Sequence, residues 1–145
     1  MSIPNDVVAN PELLIEPERI AAARARIAGK VHRTPMLASE TAARVIRSAT
    51  GAEVAGGTLY LKAEHLQKTG SYKPRGMVNK VATLTPDERA RGIITISAGN
   101  AAQAYAYAGR EEGVHVTVVM PAAANPMKAA ACRDYGAEVI LVGEN

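Results

Sequence analysis

A chain of 145 residues is one domain's worth of material, with enough length to bury a core. Its apolar fraction of 48% is that of an ordinary globular protein and excludes disorder. The net charge of +3 is spread among interspersed acids, and the five tyrosines do not alternate with a basic stripe, so neither charge nor composition defines a nucleic-acid surface.

Residues 1–16 are polar and punctuated by proline, which reads as a loose arm; they lack the basic start and apolar stretch of a signal peptide. Pro17 opens a helix over 17–28, with Gly29 as its stop. An extended stretch over 32–37 is broken by Pro35, Ser39 is placed to cap a helix over 40–48, and 50–57 is loop. Strand and helix then alternate: a strand over 58–63, a loop over 67–73, a helix over 74–84, and a capping box at Thr85-Pro86-Asp87-Glu88. An apolar strand over 93–97 leads into a helix over 101–112. A strand over 114–120, a helix over 126–135 and a strand over 137–142 follow.

Apolar strands separated by helices imply parallel pairing with right-handed crossovers. The expected fold is therefore α/β, with an open parallel four-stranded sheet over 58–142 and helices on both faces. With neither Phe nor Trp, the core falls to Ala, Val, Ile and Leu. Cys132, the one cysteine, allows no internal disulfide and no thiolate metal cluster. The histidines His32, His65 and His115 lack ligand spacing, so no metal is expected. No apolar run approaches the ~20 residues of a membrane span, and a cytoplasmic location with no membrane partner is expected.

Two segments carry chemistry. The first is Lys62-Ala63-Glu64-His65-Leu66-Gln67-Lys68-Thr69-Gly70-Ser71-Tyr72-Lys73-Pro74-Arg75-Gly76. Lys73 alone reads first as a solvated surface lysine. Held on a small-residue loop and followed by Pro74, it also suits a lysine that forms a Schiff base with an aldehyde cofactor. The second segment is Ser97-Ala98-Gly99-Asn100, where a buried strand ends and a helix begins. Such a turn aims free amides and the positive end of a helix dipole at one spot, the ligand crevice of an open parallel sheet. Ordinary capping by Ser97 or Asn100 explains the same residues. There is no Gly-x-Gly-x-x-Gly motif and no phosphate-binding Gly-Lys pair, so the fold pattern does not signal a dinucleotide or ATP.

The first segment resembles the cofactor-lysine segment of the fold-type II pyridoxal-phosphate enzymes, in the threonine/serine dehydratase branch. That branch reads Lys-x-Glu-x-x-Gln-x-Thr-Gly-Ser-aromatic-Lys-x-Arg-Gly, which residues 62–76 meet at every stated position. The resemblance implies that Lys73 carries pyridoxal 5'-phosphate and that Asn100 contacts the ring hydroxyl. It implies that Ser97, Ala98 and Gly99 hold a substrate carboxylate, with Gln103 retained beside them. It further implies a small domain over 58–145, with 1–57 packing on a larger domain beyond this chain. The segment from Val118 to Glu138 also resembles the family and reads as structural, with Lys128 and Arg133 on a solvated helix face.

Two departures stand in the loop: Ala101 replaces the family's usual His, and Ala104 its usual Gly. Racemases of the family carry serine at the position of Ala98. The resemblance thus implies β-elimination of threonine or serine to a 2-oxo acid and ammonia. The implied enzyme is homo-oligomeric and acts on an amino-acid substrate, with no nucleic acid. A catalytically inactive fragment, a small-molecule-binding α/β domain and a serine-racemase-like enzyme are the alternatives. Because the cofactor's phosphate loop lies outside the matched segment in that family, weak cofactor binding by this chain alone is expected.

Overall fold

The structure, a computed structural model, describes residues 15–143; the arm expected over 1–16 lies almost wholly outside the described residues. Helix α1 (Pro17–Arg26) begins with proline in its first turn, Glu18 at the positive end of its dipole, and Arg24 and Arg26 at the negative end. It stops before the expected residue 28, where the i to i−4 ladder gives way to tighter turns, Ala28 N–H to Ala25 O and Lys30 N–H to Ile27 O. Strand β1 (Met36–Ser39) leads directly into α2 (Glu40–Thr50), whose start is fixed as expected: Ser39 Oγ accepts from the Ala42 amide at 3.1 Å.

Strand β2 (Leu59–Lys62) corrects the expected sheet. It does not join a four-stranded parallel sheet but pairs antiparallel with β1, Met36 opposite Lys62 and Ser39 opposite Leu59. The reason is local saturation. Residues 32–39 supply partners along the whole stretch that follows: Ala63 N–H donates to Pro35 O at 3.0 Å, Lys62 Nζ to Thr34 O at 2.5 Å, and Gln67 pairs with His32. β1 thereby occupies one edge of β2 along its whole length.

The parallel sheet has three strands, β3 (Ile93–Ile96), β4 (Val116–Pro121) and β5 (Glu138–Val142), in the order β3-β4-β5. Ile93 stands opposite Val116 and Val118 opposite Val139, so β4 is central. Between the strands run α3 (Lys73–Ala82), α4 (Pro86–Arg91), α5 (Asn100–Glu112) and α6 (Pro126–Asp134). The capping box of α4 forms as read, with Thr85 Oγ1 accepting from Glu88 N–H and Glu88 Oε2 accepting from Thr85 N–H.

The core lies on one side of the sheet. Val116, Val118 and Met120 alternate inward from β4 and meet Ala102 and Ala106 of α5 and Ala129 and Cys132 of α6. A second cluster, Val78 and Val81 with Tyr107, Ala108 and Val114, joins α3 to α5. Alanines buried around α5 let the neighbouring elements approach closely; at Gly109 a Cβ would lie 2.3 Å from Val116 Cγ2 and 2.7 Å from Val114 O. The opposite face, bearing Ile94 (71% exposed), Ile96 (81%), Ile140 and Val142, is open among the described residues. This corrects the expected helices on both faces: α5 and α6 cover the same one.

Candidate active site

Residues 62–76 are welded to the extended segment 32–34. Lys62 is followed by a single 3-10 turn (Glu64–Leu66), which brings the Glu64 carboxylate back under the first turn of α3. There Arg75 grips it with two bonds, Nε to Oε2 at 2.9 Å and Nη2 to Oε1 at 2.8 Å, while Thr34 Oγ1 donates to Oε1 at 2.5 Å. The Arg75 hydrogen bonds hold the Glu64 carboxyl down to about 2 against the opposing pull of burial, and the Arg75 guanidinium is raised in return.

Gln67 does the work of a missing strand. Its side chain, 4% exposed, donates from Nε2 to His32 O at 2.9 Å and accepts from His32 N–H at 2.8 Å and Lys68 N–H at 3.0 Å. Both backbone polar groups of His32 are thus satisfied by a single buried side-chain amide. Gly70, at φ +68°, then turns the chain toward the helix, a conformation that favours glycine.

Lys73 is the first residue of α3, one position earlier than the proline suggested, with Pro74 buried behind it. Its half-buried side chain lays Nζ 5.0 Å from the centre of the Tyr72 ring. Among the described residues no carboxylate pairs with it, so the amine is available to a ligand.

At the end of β3, Ser97 N–H continues the ladder to Val119 O at 3.1 Å, and Ser97 Oγ accepts from Gly99 N–H at 3.2 Å. Gly99 is the residue before α5, and no side chain caps the helix. The capping explanation of this loop therefore fails at both candidates: Ser97 closes a local turn, and Asn100 is the first helical residue. Ala98 and Asn100 are exposed, while Ser97, Gly99 and Gln103 are half-buried. Asn100 Oδ1 accepts from Lys128 Nζ at 3.3 Å. Lys128 thus leaves the solvated face on which the sequence puts it, because the Asn125 cap at Met127 N–H holds the first turn of α6 beside this loop.

Arg89 reaches the carbonyls of both Val81 and Glu112, so the C-terminal ends of α3 and α5 meet at one guanidinium. Lys73 and Asn100 begin the two helices at their other ends. No hydrogen bond joins Lys73 to the loop over 97–100 among the described residues; the helices that follow the two motifs pack on each other through Val78, Val81, Tyr107 and Ala108. Elsewhere, His115 Nε2 lies 3.6 Å from Glu138, and among the described residues no three metal-ligating side chains converge. Burial pushes the Cys132 thiol up, the direction of an unreactive core cysteine.

A free lysine amine at one helix start, and an uncapped run of amides with an asparagine at another, fit a cofactor with an aldehyde and anionic oxygens. The family model described as pyridoxal-phosphate dependent enzyme matches residues 27–145, and the chain belongs to that family. Within it, the chain is 43% identical over 130 residues to the L-threonine ammonia-lyase of Thermotoga maritima, covering 90% of this chain and 30% of that one. It is 38% identical over 134 residues to the catabolic L-threonine dehydratase TdcB of Escherichia coli K12, covering 92% and 38%.

Among solved structures, a threonine deaminase from T.th. superposes with a TM-score of 0.69 at 43% identity, over 89% of this chain and 37% of that one. The serine racemase of Dictyostelium discoideum superposes at 0.74 with 36% identity, over 88% and 39%. The chain spans about a third of the length of the curated relatives it matches.

Proposed function

We propose that this chain is the N-terminal part of a pyridoxal-phosphate dependent lyase that removes the β-hydroxyl and the amine of threonine or serine, giving a 2-oxo acid and ammonia. The observation that carries the reading is Lys73, a free amine at the first position of α3, on a loop that Gln67 and the Glu64–Arg75 pair hold against residues 32–34. The bound cofactor supplies an electron sink for charge at the substrate's α carbon. Lys73 would hold it through Nζ, and the same amine would serve as the base for the α proton. Asn100 would hold the cofactor's ring oxygen. The substrate carboxylate lies against Ser97, Ala98, Gly99 and the open amides of α5, within reach of Gln103. Gly99 N–H is already committed to Ser97, which leaves the Ser97 hydroxyl hydrogen as the donor at that point.

The division into 1–57 and 58–145, assembly into a homo-oligomer and a cytoplasmic setting belong to the same proposal. Among the described residues no helix is long and apolar enough to cross a membrane.

The decisive experiment is borohydride reduction of the intact protein with pyridoxal 5'-phosphate, followed by peptide mapping. A reduced adduct on the peptide bearing Lys73, absent in Lys73→Ala, is the expected result; an unlabelled peptide refutes the reading.

Serine racemases stand among the structural relatives. Ala98 argues against that activity here, because a methyl group has no proton to return to the opposite face of the α carbon. Conversion of L-serine chiefly to D-serine, with little 2-oxo acid, would reverse this choice. Ala101, in place of an imidazole, favours one further reading, a small-molecule-binding domain without chemistry. Tight amino-acid binding with no adduct at Lys73 is its signature.

A further inference from the structure

Lys128 stands in the first turn of α6, where the helix amides already carry partial positive charge and a cation is unfavourable. Neither α5 nor α6 has an acidic residue in its first turn to offset it. Yet the half-buried side chain does not turn to solvent. It crosses to the first residue of α5 and donates to Asn100 Oδ1 at 3.3 Å. An asparagine amide has one acceptor oxygen and one NH2 group with two donors. With an ammonium on the oxygen, the Nδ2 hydrogens face the other way, toward no acceptor among the described residues.

We propose that Lys128 is a positioning residue of the cofactor site. It fixes the amide of Asn100 so that Nδ2 donates to an oxygen acceptor, and its charge favours the deprotonated form of that oxygen. The inference rests on the reading of Lys73 and Asn100 as cofactor contacts, which makes the acceptor the ring oxygen of pyridoxal phosphate. Without Lys128 the amide rotates freely, its oxygen competes for the same place, and a charge-assisted bond is lost.

The test uses the intact protein with Lys128→Met, Lys128→Arg and Asn100→Asp. Affinity for pyridoxal 5'-phosphate is measured by titration, and the visible band of the bound cofactor is followed against pH. Lys128→Met is expected to bind about tenfold more weakly, with the midpoint of the band raised by about one pH unit. Lys128→Arg stays within about threefold of wild type, because a guanidinium donates to the same oxygen. Asn100→Asp loses about tenfold or more in affinity without a lower Tm, since the carboxylate pairs with Lys128 and suits a helix start.

A merely structural lysine would lower the Tm of Lys128→Met and leave the midpoint in place. An unchanged midpoint and affinity in Lys128→Met, or wild-type affinity in Asn100→Asp, overturns the proposal; should Lys128→Met fail to fold, Asn100→Asp decides alone. If wild type gives no reduced adduct at Lys73, the cofactor reading itself falls and this inference with it. An adduct in wild type with an indifferent Lys128→Met removes only the role of Lys128.

Discussion

Gly109 shows how little room the interior leaves. It sits in α5 at the point of closest approach to β4, where a methyl group would collide with the Val116 side chain and with the backbone carbonyl of Val114. The side chain can shift, but the carbonyl cannot without disturbing the turn after the helix. Gly109→Ala is therefore expected to destabilise by about 1–3 kcal/mol, despite the better helix propensity of alanine, and to lower the urea midpoint without changing the slope. The contrast is Ile96, on the open face: Ile96→Ala at 81% exposure should change the unfolding free energy by less than about 0.5 kcal/mol. A residue's chemistry alone ranks these two the wrong way round; their surroundings set the order.

At the scale of elements, the loop that carries Lys73 owes its shape to side chains acting as backbone. Gln67 closes both hydrogen bonds of His32, and the Glu64–Arg75 pair fastens the 3-10 turn to α3. Truncation by Gln67→Ala leaves the His32 amide without its partner and the His32 carbonyl to Arg75 Nη2 alone, which costs about 0.5–1.5 kcal/mol. Faster hydrogen exchange at the His32 amide, with α5 and β4 still protected, is the expected signature.

The acid behaviour of the same clamp follows from Glu64. Its folded value, about 2, lies below the ordinary 4.5, so its stabilisation is present above pH 4.5 and is lost as the pH falls toward 2. Solvent screening limits the contribution to on the order of 1–2 kcal/mol. Glu64→Gln should be less stable than wild type at pH 6, and the gap should close between about pH 4.5 and 2. Parallel acid titrations of the two proteins would show otherwise if their difference stayed constant.

At the scale of the whole molecule, the segment before residue 40 is tied to the rest at several separate points. Lys30 pairs with Glu112, the Tyr107 hydroxyl donates to Lys30 O, Gln67 and Arg75 hold His32, and β1 pairs with β2. Ties of such long sequence separation make the two parts melt together. Thermal unfolding followed by far-ultraviolet circular dichroism and by tyrosine fluorescence should give coincident curves. Two separated transitions would instead mark the boundary at residue 57 as a division between independent units.

The sequence by itself determined the helices, their starts to within a residue, and the family. Proline, the Ser39 cap and the Thr85 capping box act within one turn of the chain, and the long match over 62–76 depends on residue identity alone. Lys128 and the roles of Glu64, Gln67 and Arg75 were not legible in that way. These residues stand in plain view along the chain, but partners of theirs lie on other elements, at His32, Thr34 and Asn100. Tertiary structure alone decided that β2 would turn to β1 rather than to the parallel sheet, and that α5 and α6 would cover one face. Strand pairing and helix placement depend on which backbone groups and apolar faces are already satisfied at long range, and alternation along the chain carries no record of that.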